Sequence, residues 1–199
     1  MDMIEKNLRK DGVVQIPSML PLAVMRKFEN CRAQLLANAE AQWCAGILNG
    51  TQAPNFYDLD LSFAPMLKDY VDSIDASILG TGYRQTHRLI AATLRLVSPF
   101  PLGYLNWHVD HTDGPGIFIK VLIFLSDVEI GHGDFCYVPG SHLNRDPGVE
   151  EFTARSNGYS RYPGRAGTAV MFDTAGVHAP SENLGPVARQ TLLLSFARW

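Results

Sequence analysis

Two hydrophobic periods divide this chain. Ile4 and Leu8 stand about one helical turn apart, Gly12 follows as a stop, and "VVQIP" then predicts a short strand ended by Pro17. From Pro21 onward, Val24, Phe28, Cys31 and Leu35 are spaced four, three and four residues, which places them on one stripe of a helix of several turns. "NGTQAPNFYD", from Asn49, breaks that pattern, and Met66, Tyr70, Ile74 and Ile78 predict a second amphipathic helix ended by "GTG" at 80–82. Beyond residue 88 the period shortens to short β segments separated by Gly and Pro: "AATLRLV", "YLNWHVD", "IFIKVLIFL", "FCYVP", "GTAVMFD" and "TLLLSFA". Helices first and strands afterwards predict a mainly β fold with N-terminal helices, an antiparallel sandwich or barrel of jelly-roll type. The expected organisation is one domain, 1–199, with 1–88 mostly helical and 89–199 forming the β core.

Within the β region, Leu105, Trp107 and Val109 alternate with Tyr104, Asn106, His108 and Asp110. One face of that strand is therefore apolar, and the other carries His108 and Asp110 together. The same pattern, His-x-Asp, recurs at His111 and Asp113, but "TDGPG" ends the strand there and period two no longer applies. Strand geometry favours the first pair as ligands; the second stays as the alternative.

Composition narrows the function classes. With 46% hydrophobic and 19% charged residues the chain reads as an ordinary globular domain, and 17 basic against 20 acidic residues give a net charge of −3. Such a balance gives no reason to expect nucleic acid or an anionic membrane as partner. "MDMIEKNLRKDG" is too polar for a signal peptide, and the run "VLIFL" is far too short to cross a bilayer, so a cytoplasmic protein is expected. Cys31, Cys44 and Cys136 form no CxxC pair and fit reduced thiols.

A lone His-x-Asp is weak, so the far end of the β region decides its weight. There "GTAVMFD" leads into a turn carrying His178, and a further strand opens with Arg189 and Thr191. Two histidines and a carboxylate are the set that binds non-haem Fe(II) with three positions left open. Arg189 offers a planar fork for a carboxylate, and Thr191, on the same face, a hydroxyl.

Taken together, "RKDGVVQIPSML", "WHVDHTDG", "FLSDVEIGHGDFCYVPGSH", "GTAVMFDTAGVHAP" and "RQTLLLSF" resemble the phytanoyl-CoA dioxygenase-like family of Fe(II)/2-oxoglutarate-dependent oxygenases over most of the chain. The resemblance implies a double-stranded β-helix, cupin-like core, iron held by His108, Asp110 and His178, and Arg189 on the far carboxylate of 2-oxoglutarate. It also implies O2 and a small-molecule substrate, hydroxylated as the oxoacid becomes succinate and carbon dioxide. Asp134 and Thr168 depart from the family's usual residues at their positions.

Other residues admit two readings each. Lys120, in "IFIKVLIFL", either assists 2-oxoglutarate or a substrate carboxylate, or is an exposed edge lysine. Tyr104 and Asn106 line a pocket or fill the barrel; Arg84, His87 and Arg88 receive an anion or lie on a solvated connection. Asp173 orients His178 or closes its turn, while His132 and His142 are structural. From a different class, a jelly-roll binding protein with a vestigial pocket, holding zinc or nothing, is the competing hypothesis.

Overall fold

The computed structural model describes residues 3–17, 19–20, 56–60, 83, 85–97, 99, 107–143, 154 and 158–199. The helices expected from Pro21 and around Met66–Ile78 lie outside these residues, as do Arg84, Tyr104 and Asn106.

Helix α1 (Met3–Asp11) carries Glu5 in its first turn and Arg9 and Lys10 in its last, charges that suit the two ends of the helix dipole. Arg9 also reaches back to Glu5 at 2.9 Å. Gly12 ends the helix with φ of 75°, its amide bonded to the Leu8 carbonyl. No other residue suits this position well, because a Cβ there would run into the Tyr137 hydroxyl and the His142 ring.

Among the described residues nine strands follow: β1 (Val13–Ile16), β2 (Phe56–Asp60), β3 (His87–Val97), β4 (Phe118–Phe124), β5 (Phe135–Tyr137), β6 (Ser160–Tyr162), β7 (Ala169–Asp173), β8 (His178–Pro180) and β9 (Arg189–Arg198). They pair antiparallel into a six-stranded sheet, β1-β7-β4-β9-β3-β2, and a three-stranded sheet, β6-β5-β8. Together the two sheets form the double-stranded β-helix core of jelly-roll type. Among the described residues no helix is long and apolar enough to cross a membrane.

β2 departs from the sequence reading, which placed a break in "NGTQAPNFYD". Five residues flanked by turn formers show no period of their own; pairing with β3, Phe56 opposite Val97, makes the strand. β3 also begins at His87, and β6 and β8 are only three residues long.

Side-chain alternation in the large sheet sorts its residues onto two buried faces. Ile119, Val121, Ile123, Met171, Leu192, Leu194 and Phe196 pack with Leu8 of α1. Leu122, Phe124, Val170, Phe172 and Leu193 face the other way and pack with Phe135 and Tyr137 of the small sheet. Burial on both faces explains why β4 and β7 read as nearly continuous apolar runs. By the same parity, Lys120 on β4 and Arg189 and Thr191 on β9 point between the sheets.

Candidate metal centre

His108 lies outside the named strands but forms a bridge with His178, the first residue of β8. Each residue donates its amide to the other's carbonyl at 3.0 Å. In an antiparallel pair this reciprocal arrangement puts the two residues directly opposite, with both side chains on one face. Their ring centroids are 4.4 Å apart. Sequence reading left His178 in a turn; its place in a strand is set by pairing with β5, Tyr137 opposite His178, which a three-residue segment cannot announce.

Asp110 follows two residues later, its amide bonded to the Thr174 carbonyl at 3.0 Å. Its Oδ2 stands 3.3 Å from His178 Nε2, and its Oδ1 stands 3.8 Å from His108 Nε2. One ligand atom from each of the three residues lies within 4.8 Å of the others, and among the described residues this is the cluster able to hold a metal ion. Ligands about 2.1 Å from one octahedral ion stand roughly 3 Å apart, so a small contraction suffices. His178 Nδ1 lies 2.9 Å from the Gly176 carbonyl; donation there leaves Nε2 as the lone-pair nitrogen turned toward Asp110.

The centre grades from wet to dry. His108's side chain is 40% exposed, Asp110's 20% and His178's 5%. His178 sits among rings, with Phe172, Phe135 and Tyr137 centroids at 4.9, 5.7 and 6.4 Å. Burial works against the charge of Asp110, but the adjoining His178 ring and, after it, the Lys120 ammonium hold its carboxyl well below the usual carboxylate range. Lys120 Nζ lies 2.9 Å from Asp110 Oδ2, so this lysine is neither exposed nor on an edge.

Arg189 occupies another level of the barrel. It is 3% exposed, and its Nη1 donates to the Gly133 carbonyl. His178 pairs with Tyr137, whereas the Gly133 amide bonds to the Glu182 carbonyl, four residues on from that pair and just beyond the ends of β5 and β8. At about 3.4 Å per residue the two levels are roughly 14 Å apart, a span that an arginine side chain and a short diacid can fill end to end. Thr191, fully buried, points its hydroxyl toward the Arg95 carbonyl at 3.5 Å. Lys120 is opposite Ser195, while Thr191 is opposite Phe124. Lys120 therefore belongs to the metal level and not to the Arg189 level.

The remaining candidates separate from the centre. His111 stacks on Phe118, centroids 4.0 Å apart, and Asp113 is exposed, so the second His-x-Asp pair is not in the cluster. Asp173 closes the turn: it accepts the amides of Ala175 and Gly116, at 3.0 and 2.6 Å, and the Gly176 carbonyl orients His178 instead. His87 is buried, with ring nitrogens 2.9 Å from the Thr86 hydroxyl and the Gly116 carbonyl, which withdraws it from any anion-binding cluster; Arg88 is exposed. His142 is buried against the Arg9 carbonyl, and His132 pairs with Asn183. Sequence reasoning missed the parts played by Gly176, Gly133 and the rings around His178. The glycine two residues before His178 was the available signal.

Solved structures share this architecture. SnoK, a non-heme alpha ketoglutarate dependent carbocyclase from nogalamycin biosynthesis, superposes with a TM-score of 0.76 at 20% identity, over 100% of this chain and 84% of that one. EctD from S. alaskensis with bound Fe gives 0.76 at 17%, over 100% and 77%. HygX from Streptomyces hygroscopicus, with nickel and 2-oxoglutarate bound, gives 0.74 at 16%, over 100% and 87%. At these identities the likeness is one of fold. No curated protein sequence matches the chain. The family model for phytanoyl-CoA dioxygenase matches residues 8–191, from the last turn of α1 through every strand from β1 to β8 to the start of β9, and the chain belongs to that family.

Proposed function

We propose that this protein is an Fe(II)/2-oxoglutarate-dependent oxygenase that hydroxylates a small molecule. The observation that carries the reading is the placement of His108, Asp110 and His178 at one level of the barrel with the buried Arg189 at another. Three ligands leave three positions on a six-coordinate ion, enough for a bidentate 2-oxoacid and dioxygen. Iron bound there supplies an oxidant able to take hydrogen from an unactivated carbon, as the oxoacid is split to succinate and carbon dioxide.

The chain's own residues have three tasks. The His108–His178 backbone pair holds two ligands on one face. Gly176 keeps His178 Nε2 as the donor nitrogen, and the surrounding rings exclude water on that side. Arg189, with Thr191 beside it, receives the far carboxylate of 2-oxoglutarate in a dry pocket.

The test is anaerobic addition of Fe(II) and 2-oxoglutarate, which should produce the weak visible charge-transfer band of the chelate, followed by a metabolite screen for substrate-stimulated succinate release. A protein that binds neither iron nor 2-oxoglutarate would instead be the inactive jelly-roll binding protein. Release of succinate without an added oxygen atom in the product would keep the oxygenase class and remove the hydroxylase.

A further inference from the structure

We infer that Lys120 is a positioning residue that restricts Asp110 to a single metal-binding oxygen. The inference rests on the metal role proposed for His108, Asp110 and His178. Lys120 projects from β4 between the sheets, and its ammonium meets Asp110 Oδ2 at 2.9 Å; both side chains are 20% exposed. Oδ1 faces His108 Nε2. The neighbours of Lys120 along its face are apolar: Phe118 two residues before it and Leu122 two residues after. A cation on so apolar a strand face is costly unless paired, and the pairing found is with a metal-ligand candidate and not with a carboxylate elsewhere.

Coordination arithmetic gives that contact a purpose. A carboxylate with both oxygens available can chelate, and two histidines with a chelating Asp110 would fill four of six positions. A bidentate oxoacid would then take the last two, and dioxygen would have none. An ammonium bonded to Oδ2 takes one of that oxygen's two lone-pair sites and sets a positive charge against a metal ion there, which favours Oδ1 as the single metal ligand. The same positive charge opposes a divalent cation and favours an anionic cofactor. Lys120 thus trades metal affinity for cofactor affinity, two effects of opposite sign.

That pair of signs is the test. Wild type, Lys120→Met, Lys120→Gln and Lys120→Arg would be checked for folding by circular dichroism and titrated anaerobically with Fe(II), then with 2-oxoglutarate at saturating Fe(II). In Lys120→Met, Fe(II) should bind more tightly and 2-oxoglutarate about tenfold more weakly, the scale of one charge-assisted contact. Lys120→Arg should restore both affinities, and Lys120→Gln should restore mainly the one-oxygen geometry. The Co(II)-loaded forms give a second readout: a chelating Asp110 changes the visible d–d bands of the ion without any turnover. Equal losses of both affinities in Lys120→Met, or no change in either, would overturn the inference. If wild type itself formed no charge-transfer band, the oxygenase reading would fail first, and the two failures are separable. A Lys120→Met protein that did not fold would be replaced by Lys120→Gln, whose 2-oxoglutarate affinity must still fall below that of Lys120→Arg.

Discussion

His108 and His178 exchange both of their backbone hydrogen bonds, each at 3.0 Å, so the two metal-ligand candidates are locked to one another by main chain before any ion binds. A centre built this way is preorganised: side-chain replacement removes a ligand without removing the bridge that positions its partner. Single-ligand variants should therefore stay folded and report on chemistry.

His111 is the natural control for His108. His108→Ala should lose Fe(II) binding in anaerobic titration, with loss of the 2-oxoglutarate charge-transfer band. His111→Ala should keep both, because His111 is engaged with Phe118 and not with the cluster. Loss of that stack should destabilise by about 0.5–1.5 kcal/mol, a drop of a few degrees in Tm. A band lost in His111→Ala and kept in His108→Ala would exchange the roles of the two pairs.

Gly176 should matter to the metal although it offers no side chain. Its carbonyl holds His178 Nδ1 at 2.9 Å, and a methyl at Gly176 would overlap the fully buried Tyr137 ring and hydroxyl. Tyr137 cannot swing aside freely, since its hydroxyl donates to the Asp173 carbonyl at 3.0 Å. Gly176→Ala should weaken Fe(II) binding by about 10–100-fold, the usual effect of disturbing a ligand's outer partner, and overpacking should cost about 1–3 kcal/mol. Metal titration and thermal unfolding measure the two separately; unchanged iron affinity would mean that His178 holds its orientation without this carbonyl.

How far the sequence could be read follows from what each signal depends on. His108 and Asp110 could be paired from local alternation, although that stretch forms only a bridge to His178 and no named strand, and β4 and β7 were legible because their apolar runs are long. β2, β6 and β8 were not, because three to five residues do not reveal a period and only their partners define them. Lys120 could be suspected of having a partner but not assigned one: Asp110 is ten residues away along the chain, and the barrel, not the spacing, brings them to 2.9 Å. Asp173 stayed open between orienting His178 and closing the turn for the same reason, since a carboxylate near a histidine in sequence says nothing about which backbone amides it faces; the structure shows the second.

Asp134 should govern the acid limit of stability. It is fully buried and accepts bonds from Arg161 at 2.8 and 2.6 Å, from Ser181 at 2.6 Å and from the Gly131 amide at 2.8 Å. Burial disfavours its charge, but Arg161, Ser181 and Gly131 outweigh burial and hold its pKa below the usual value. A depressed folded pKa means stability that is complete above the unfolded value of about 3.9 and is lost as pH falls through the folded value. Asp134→Asn should lower stability by about 3 kcal/mol at neutral pH, roughly 6–12 °C in Tm, because Arg161 is left without its carboxylate. The gap between variant and wild type should then narrow as pH drops from about 4 downward. Parallel pH profiles for the two proteins would show that Asp134 is not the group responsible.

Arg189 and Gly133 should separate cofactor binding from metal binding. Truncating one partner of a buried charge pair costs ~2–5 kcal/mol, so Arg189→Leu should weaken 2-oxoglutarate binding roughly thirty- to several-thousand-fold while Fe(II) still binds at the other level. Lysine at this position should recover part of the loss, bringing charge without the fork. Gly133 tests the same pocket from its wall. A Cβ there would lie 3.2 Å from Arg189 Cδ, and the backbone has φ of 80°, a conformation that costs alanine about 1–2 kcal/mol. The crowding pushes on the arginine's stem and leaves His108, Asp110 and His178 untouched, since four residues separate the two levels. Gly133→Ala should thus raise the 2-oxoglutarate requirement less than Arg189→Leu does, lower Tm by several degrees, and keep iron affinity at the wild-type value. Anaerobic titrations of iron and of 2-oxoglutarate, run separately on each variant, measure this directly. Iron affinity falling in step with 2-oxoglutarate affinity would show that the two levels are one site; 2-oxoglutarate affinity unmoved in Arg189→Leu would show that the far carboxylate is held elsewhere.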